Sequence, residues 1–229
     1  MKKIIFLLTC LLAMFTYQHA DAQGIRIYKG GKIVQTITVA EFDSLVAFEP
    51  IDNALDFEFV DLGLSVKWAT HNVGASSPEG YGDYFAWGET SPKSSYTIEN
   101  SLTYGKSMGD ISGNLQYDAA AANWGGGARM PTLAEWEELL IHCTSVWTTR
   151  NGVHGRLVTG PNGNSIFLPA AGRRYGTSLS NAGYYGGYWS STPNEDSDDG
   201  ADSLGFNSGG FVWDWDGRYY GRSVRPVRN

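Results

Sequence analysis

The sequence is poor in cysteine and in basic side chains, and it has no long apolar run beyond its first residues. Only two of its 229 residues are cysteine, Cys10 and Cys143. Lysine and arginine number 17 against 24 aspartates and glutamates, which gives a net charge of −7. An acidic chain does not suit nucleic acid or an anionic membrane surface as a partner. We expect neither nucleic-acid binding nor a transmembrane helix.

The first residues have the pattern of an export signal. Two lysines precede an apolar run at 4–15, and a small-residue cleavage site follows at Ala20-Asp21-Ala22. Removing this leader takes away two lysines, one aspartate and Cys10, so 207 residues remain and the charge moves from −7 to −8. Reading Cys10 as a lipoprotein cysteine is an alternative, but it lies too early in the apolar run. We expect an exported protein (periplasmic, secreted or associated with the cell surface) that begins at Gln23 and has no internal disulfide.

Three segments follow the signal peptide, which spans residues 1–22. Residues 23–50 predict a small β-module, because isoleucines alternate with polar residues on both sides of Gly30-Gly31. Residues 51–56 read as a linker. Residues 57–229 are rich in glycine and tryptophan and form the main domain.

The main domain is predicted to be α+β, with two short helices, short antiparallel strands and long loops. Asp118 can cap a helix at 119–124, and Pro131-Thr-Leu-Ala-Glu135 is a capping box that opens a helix to about Cys143. The core face of the second helix is predicted to be Leu133, Trp136, Leu140 and Cys143. Strands are predicted at 60–68 with a kink at Gly63, 155–159, 165–168, 188–191, 204–206, 211–215 and 223–228.

The last quarter of the chain is rich in side chains that dominate binding surfaces. In the strand at 211–215, Trp213 and Trp215 would share one face, with Asp214 and Asp216 on the other. Asp216-Gly217 predicts a hairpin tip, which would expose the residues after it. The alternative is that Phe211, Trp213 and Trp215 line the core. The predicted ligand contacts are Tyr184, Tyr185, Trp213, Asp214, Trp215, Asp216, Arg218, Tyr219, Tyr220 and Arg222.

Two groups of charged residues carry alternative interpretations. Arg218 and Arg222 are ligand contacts in one and framework salt-bridge partners of the acidic loop at 195–202 in the other. The loop itself lacks the spacing of a helix-loop-helix calcium site and reads as a solvated surface. Glu137 and Glu138 diverge on their helix, which does not suit a glycosidase pair. The sequence predicts no catalytic residue, no metal site and no cofactor.

Six ordered segments carry a family resemblance, at residues 60–70, 81–90, 129–139, 166–172, 187–192 and 223–228. The second reads Tyr-Gly-Asp-Tyr-Phe-Ala-Trp-Gly-Glu-Thr. Together they resemble the Fibrobacter succinogenes major paralogous domain family. The resemblance covers about 57–229 and implies a C-type lectin-like fold, distantly related to the formylglycine-generating enzyme.

The tail is similar to the variable region of proteins diversified by retroelements, in which a constant scaffold holds positions whose adenine-containing codons mutate. The constant positions would be 206–209, 218, 221 and 223–228, and the variable ones 210–217, 219, 220 and 222. Trp213 and Trp215 depart from the usual pattern, because they require Lys- or Arg-type template codons.

Together with the export signal and the aromatic tail, these resemblances lead us to expect an exported, non-enzymatic binding protein, adhesin- or receptor-like, whose ligand is a surface glycan or a protein. The alternatives are a structural subunit of a surface assembly and a degenerate relative of the oxidising enzyme.

Overall fold

The computed structural model describes residues 58–229, together with the backbone of residues 24–29 and 32–38. The chain divides into two units, Met1–Asn53 and Ala54–Asn229. In the first unit, β1 (Gly24–Lys29) pairs antiparallel with β2 (Lys32–Thr38). Both strands lie where the alternating isoleucines predict them. The predicted signal peptide and linker lie outside the described residues.

The second unit is a mixed fold of small antiparallel sheets and few helices, compatible with the predicted α+β class. Its helices within residues 58–229 are α1 (Ala119–Trp124) and α2 (Leu133–His142), with a short 3-10 helix at Ile98–Asn100. Its strands are β3 (Phe59–Asp61), β4 (Lys67–Ala69), β5 (Thr144–Arg150), β6 (Val153–Thr159), β7 (Ser165–Pro169), β8 (Arg173–Tyr175), β9 (Ser178–Ser180), β10 (Gly186–Pro193), β11 (Gly200–Asn207), β12 (Gly210–Gly217) and β13 (Val227–Arg228). They form sheets ordered β13-β4-β3, β5-β6-β7, β8-β9 and β10-β11-β12.

Both helices begin where their capping residues predict. The Asp118 carboxylate accepts hydrogen bonds from the backbone N–H groups of Ala120 (2.8 Å) and Ala121 (3.0 Å). At α2, Thr132 Oγ1 accepts from the N–H of Glu135, and the Glu135 carboxylate accepts from the N–H of Thr132. These bonds satisfy N–H groups that have no partner inside a helix.

The buried face of α2 differs in part from the prediction. Trp136 is fully buried as expected, and Leu140 and Cys143 are half-buried against the core. Leu139, which was not predicted, is fully buried, whereas Leu133 in the first turn is only half-buried. The buried stripe therefore follows Trp136 and Leu139, and Leu133 is left near the surface.

The predicted strand at 60–68 is wrong, because the chain reverses within it. The Asp61 side chain accepts a hydrogen bond from the N–H of Gly63 (2.7 Å), and Gly63 has a φ of 76° that favours glycine. β3 and β4 are the two arms of this turn. The predicted strand at 223–228 is shorter than expected and comprises β13 alone, while β5, β8 and β9 were not predicted.

The core lies on both sides of β10. Tyr188 packs with Trp68 and Trp136 in one cluster, and the next residue, Trp189, packs with Phe85 and others in a second cluster. Helix α2 packs across β10 and β11 and covers the first cluster. Five tryptophans are buried in these two clusters: Trp68, Trp87, Trp124, Trp136 and Trp189. None of the helices in the described ranges has the length and apolar character needed to cross a bilayer.

Candidate functional site

The candidate residues centre on β12, the last strand of the sheet β10-β11-β12. β12 pairs with β11 over its whole length, from Asn207 opposite Gly210 to Gly200 opposite Gly217. The hairpin turn is therefore at 208–209. The predicted tip at Asp216-Gly217 is wrong, because both residues belong to the ladder and the Asp-Gly pair only ends the strand.

The two faces of β12 carry different side chains, as the alternation predicts. Trp213 lies opposite Leu204 and Trp215 opposite Asp202, on the face that α2 covers further along the sheet. Trp213 is 44% exposed and Trp215 55% exposed, so neither tryptophan lines the core. Phe211, at the start of the strand, is half-buried against the core. The core alternative thus holds for Phe211 and is wrong for the two tryptophans.

Trp213 and Trp215 form one wall of an open groove of about 480 Å³, which we call the tryptophan groove. It lies where α2, which packs on β10 and β11, comes beside the half-exposed tryptophans of β12. Trp215 lies over Gly200, where an added Cβ would be 2.6 Å from Cε3 of its ring. Glycine at this position therefore leaves room for the ring of Trp215. The groove is lined by Leu133, Glu137, Asp202, Trp213, Asp214 and Trp215.

On the opposite face of β12 the aspartates are paired with arginines. The Arg222 guanidinium bonds to the Asp216 carboxylate and lies 3.5 Å from that of Asp214. Arg173 from β8 donates to Asp216 at 2.8 Å. Tyr185 lies 3.5 Å from the Asp214 carboxylate and 3.4 Å from Arg222 Nη1. This face is therefore neutralised internally.

Arg218 and Arg222 are buried, so the structure corrects their assignment as ligand contacts. Arg218 Nε donates to the carbonyl of Gly200 (2.8 Å), and its guanidinium lies 4.5 Å from the ring centroid of Trp87. Arg222 stacks over Trp189 at 5.2 Å. The alternative interpretation, a structural role, is the one the geometry supports. The acidic loop, however, is not the ion-pair partner of either arginine among the described residues, since Arg222 pairs with β12.

Tyr219 and Tyr220 belong to a second aromatic surface, which we call the tyrosine cluster (Tyr104, Tyr175, Tyr219 and Tyr220). The rings of Tyr219 and Tyr220 lie 4.5 Å apart, and Tyr175 lies 5.4 Å from Tyr220. Tyr104 lies 5.6 Å from Tyr219. Partial burial, together with the Tyr220 hydroxyl, raises the pKa of the Tyr219 phenol above its ordinary value.

The structure brings most of the predicted contacts together, but Tyr184 stands apart. Tyr184 is 78% exposed, and within residues 58–229 its side chain has no hydrogen bond or ring contact with the other candidates. Tyr185, in contrast, is tied to the aspartate face of β12 through Asp214.

Sequence reasoning missed several residues of these surfaces. Tyr175 is 56% exposed at the end of the β8–β9 hairpin, where Gly176-Thr177 separates Tyr175 from Ser178. That short turn after Arg-Arg-Tyr was a local signal for an exposed tyrosine. No local signal places Leu133 and Glu137 beside Trp213, because they come together only through the packing of α2 on the sheet.

Residues 58–229 contain no group of three or more His, Cys, Asp or Glu side chains placed to hold a metal ion. The chain matches no family model, and no curated protein or solved structure matches it. What these surfaces bind is therefore inferred from their geometry and charge.

Proposed function

We propose that this chain is an exported, non-enzymatic ligand-binding protein, adhesin- or receptor-like, built on a C-type lectin-like scaffold. The contact surface in this proposal is β12 with the Tyr219-Tyr220 turn that follows it. Tyr184 and Tyr185 lie upstream, and Arg218 and Arg222 position the surface from inside. The ligand is a surface glycan or a protein.

The observation that carries this proposal is how burial is distributed along the tail. Residues 211–216, which the resemblance predicts to be variable, are all exposed or half-buried, and so are Tyr219 and Tyr220. The predicted constant positions Arg218, Gly221 and 223–227 are buried. The constant residues 207–209, at the end of β11 and in the turn that follows, are exposed, and Arg222 is a buried member of the predicted variable set.

This distribution supports a diversified binding surface for a physical reason. Side chains on an edge strand can change without creating cavities in the core, whereas buried positions cannot. Exposed tryptophan and tyrosine side chains also provide large, rigid contact areas with a polar group, which is typical of binding hot spots.

A binding array with matched variants tests the proposal. The purified protein is applied to arrays of glycans and surface proteins, beside Trp215→Ala, Tyr219→Ala and the control Leu115→Ala, which removes an exposed side chain away from β12. We expect both aromatic variants to lose at least about thirtyfold in affinity and the control to bind normally.

The outcome that contradicts this proposal is unchanged capture in both aromatic variants. Loss of self-association on size-exclusion chromatography, with capture intact, would indicate the structural-subunit alternative instead.

Export and diversification have tests of their own. Mass spectrometry of the mature N-terminus is expected to show Gln23, and an acylated Cys10 would contradict the predicted cleavage. A reverse transcriptase gene beside a near-copy of the DNA for residues 204–228, differing only at adenines, would establish diversification.

A further inference from the structure

The tryptophan groove has a charge that the opposite face of β12 lacks. Glu137, exposed on α2, and Asp202, on β11, line the groove. Within residues 58–229 neither carboxylate forms an ion pair, and no basic residue is among the residues that line the groove. The aspartates of the other face, in contrast, are neutralised by Arg222 and Arg173. Negative charge therefore remains uncompensated only on the groove side of the strand.

The environment of Asp202 shows that neighbouring carboxylates repel its negative charge inside the groove. Burial raises the pKa of the Asp202 carboxyl, and the negative charges of Glu195 and Glu137 raise it further. The one hydrogen bond to its carboxylate comes from the neutral amide of Asn194 (3.1 Å). A positive charge placed between Glu137 and Asp202 would relieve this repulsion.

Aromatic walls select an organic cation over a metal ion. The face of a tryptophan ring attracts ammonium and guanidinium groups, and both tryptophans here are about half exposed. Leu133 adds an apolar surface for the aliphatic stem of a long basic side chain. A metal ion would need further ligands, and no group of three metal-binding side chains exists in the described part of the chain.

Arg156, a basic residue near this face of β12, already makes hydrogen bonds within the protein. Arg156 lies 4.8 Å from the ring centroid of Phe211, at the far end of the same strand face. Its guanidinium donates to the carbonyl of Asn207 and to Ser145 Oγ, and the residue is 6% exposed. Arg156 is therefore held by the framework, and among the described residues Glu137 and Asp202 have no cationic partner.

We propose that the tryptophan groove binds a lysine or arginine side chain presented by a segment of a partner protein. The inference rests on the proposed binding function and gives its ligand a chemical class. The cationic head lies between Glu137 and Asp202 and stacks on Trp213 and Trp215, while its stem packs on Leu133. A neutral glycan would leave the two carboxylates uncompensated, so the charge favours a basic protein segment.

The test uses a pair of blocked peptides that differ only in charge. One alternates arginine with threonine over twelve residues, and the other replaces each arginine by citrulline, which is nearly isosteric and neutral. Binding to the purified protein is followed by tryptophan fluorescence and by calorimetry at about 0.15 M salt, where exposed charges beyond about 8 Å are screened. We expect the arginine peptide to bind at least about tenfold more tightly.

Three double variants locate the binding site, two of which remove charge and one of which removes the tryptophans. Glu137→Gln with Asp202→Asn is expected to weaken the arginine peptide about tenfold and to leave the citrulline peptide unchanged. Glu58→Gln with Glu99→Gln removes the same charge from exposed positions outside the groove lining and is expected to change neither affinity by more than about twofold. Trp213→Ala with Trp215→Ala is expected to weaken both peptides.

Equal affinity for the two peptides overturns the proposal, and so does an equal loss in the two charge-removing variants, which would indicate general attraction to an acidic protein. A glycan or protein captured through Trp215 but not through Glu137 and Asp202 would overturn the cation assignment and leave the binding function in place. Capture that depends on neither the tryptophans nor the carboxylates would overturn both.

Discussion

β10 and β12 belong to the same three-stranded sheet and are both rich in aromatic residues, yet one is the centre of the core and the other is at the surface. Tyr188 and Trp189 of β10 are fully buried, whereas Trp213 and Trp215 of β12 are about half exposed. The difference lies in what covers each strand. Hydrophobic clusters pack on both sides of β10, whereas α2 packs mainly on β10 and β11 and the tryptophans of β12 stay about half exposed.

The comparison teaches that aromatic content does not by itself separate core from binding surface. Trp189 satisfies its indole N–H inside the protein, donating to the carbonyl of Phe85 at 2.8 Å. Position in the sheet, rather than residue type, decides which aromatic side chains are available to a ligand.

The largest expected effect is at the buried strand. Trp189→Ala is expected to lower the free energy of unfolding by about 3–5 kcal/mol, because it leaves a large cavity and removes one of the two hydrogen bonds that the Phe85 carbonyl accepts. Trp213→Ala, the surface counterpart, is expected to change it by less than about 1 kcal/mol. Chemical denaturation of both variants measures the difference, and similar losses would remove the distinction between the two strands.

The next largest effect is expected at Arg222, a buried arginine that pairs with an aspartate of the surface strand β12. Arg222→Met is expected to cost about 3 kcal/mol, because it leaves the half-buried Asp216 carboxylate without its buried partner. Arg173→Met removes the more exposed partner of the same carboxylate and is expected to cost at most about 1 kcal/mol. Equal effects in urea denaturation would mean that burial of Arg222 does not set its importance.

Gly200→Ala sharpens the comparison, because it moves a surface ring without deleting it. The new Cβ would lie 2.6 Å from the ring of Trp215, which must rotate away. We expect affinity for the captured ligand to fall about fivefold to tenfold while unfolding changes by only about 1 kcal/mol. Calorimetric binding and melting curves of the same samples provide the measurement. Unchanged affinity would show that the orientation of Trp215 is unimportant.

The smallest expected effect concerns Asp202 and depends on pH. Its pKa is raised in the folded protein by burial and by neighbouring carboxylates, so the folded state binds a proton more tightly than the unfolded state. Ionisation at pH 7 therefore destabilises the fold, and Asp202→Asn is expected to raise Tm slightly. The gain should shrink as the solution is acidified, because the folded wild-type protein takes up the Asp202 proton at a higher pH than the unfolded chain does. A gain that grows in acid would contradict the direction of this shift.

Features set by neighbouring residues could be predicted from the sequence. The capping box of Thr132 and Glu135 and the alternation of Trp213 with Asp214 are local, and both are present in the structure. The predicted hairpin tip at Asp216-Gly217 also rested on local sequence alone, and it is wrong. Asp-Gly is a strong local turn signal, but the pairing of Ala201 with Asp216 overrides it.

Features set by distant packing could not be predicted. The burial of Arg218 depends on carbonyls at Thr103 and Lys106, more than a hundred residues earlier in the chain. The groove requires α2 to pack on β10 and β11 so that Leu133 and Glu137 lie beside the β12 tryptophans, and no segment of the sequence specifies this packing. The tryptophan face was therefore found from the sequence, while its carboxylates were not.

The continuous pairing of β12 with β11 has a consequence for how this protein can change. Because the eight residue pairs of the ladder are held through backbone atoms, the path of β12 does not depend on which side chains it carries. Substitution along its exposed positions changes chemistry while the backbone path is retained. The strand can therefore accept new side chains while the fold is kept. A library randomised at 212–215 should yield folded proteins with new specificities.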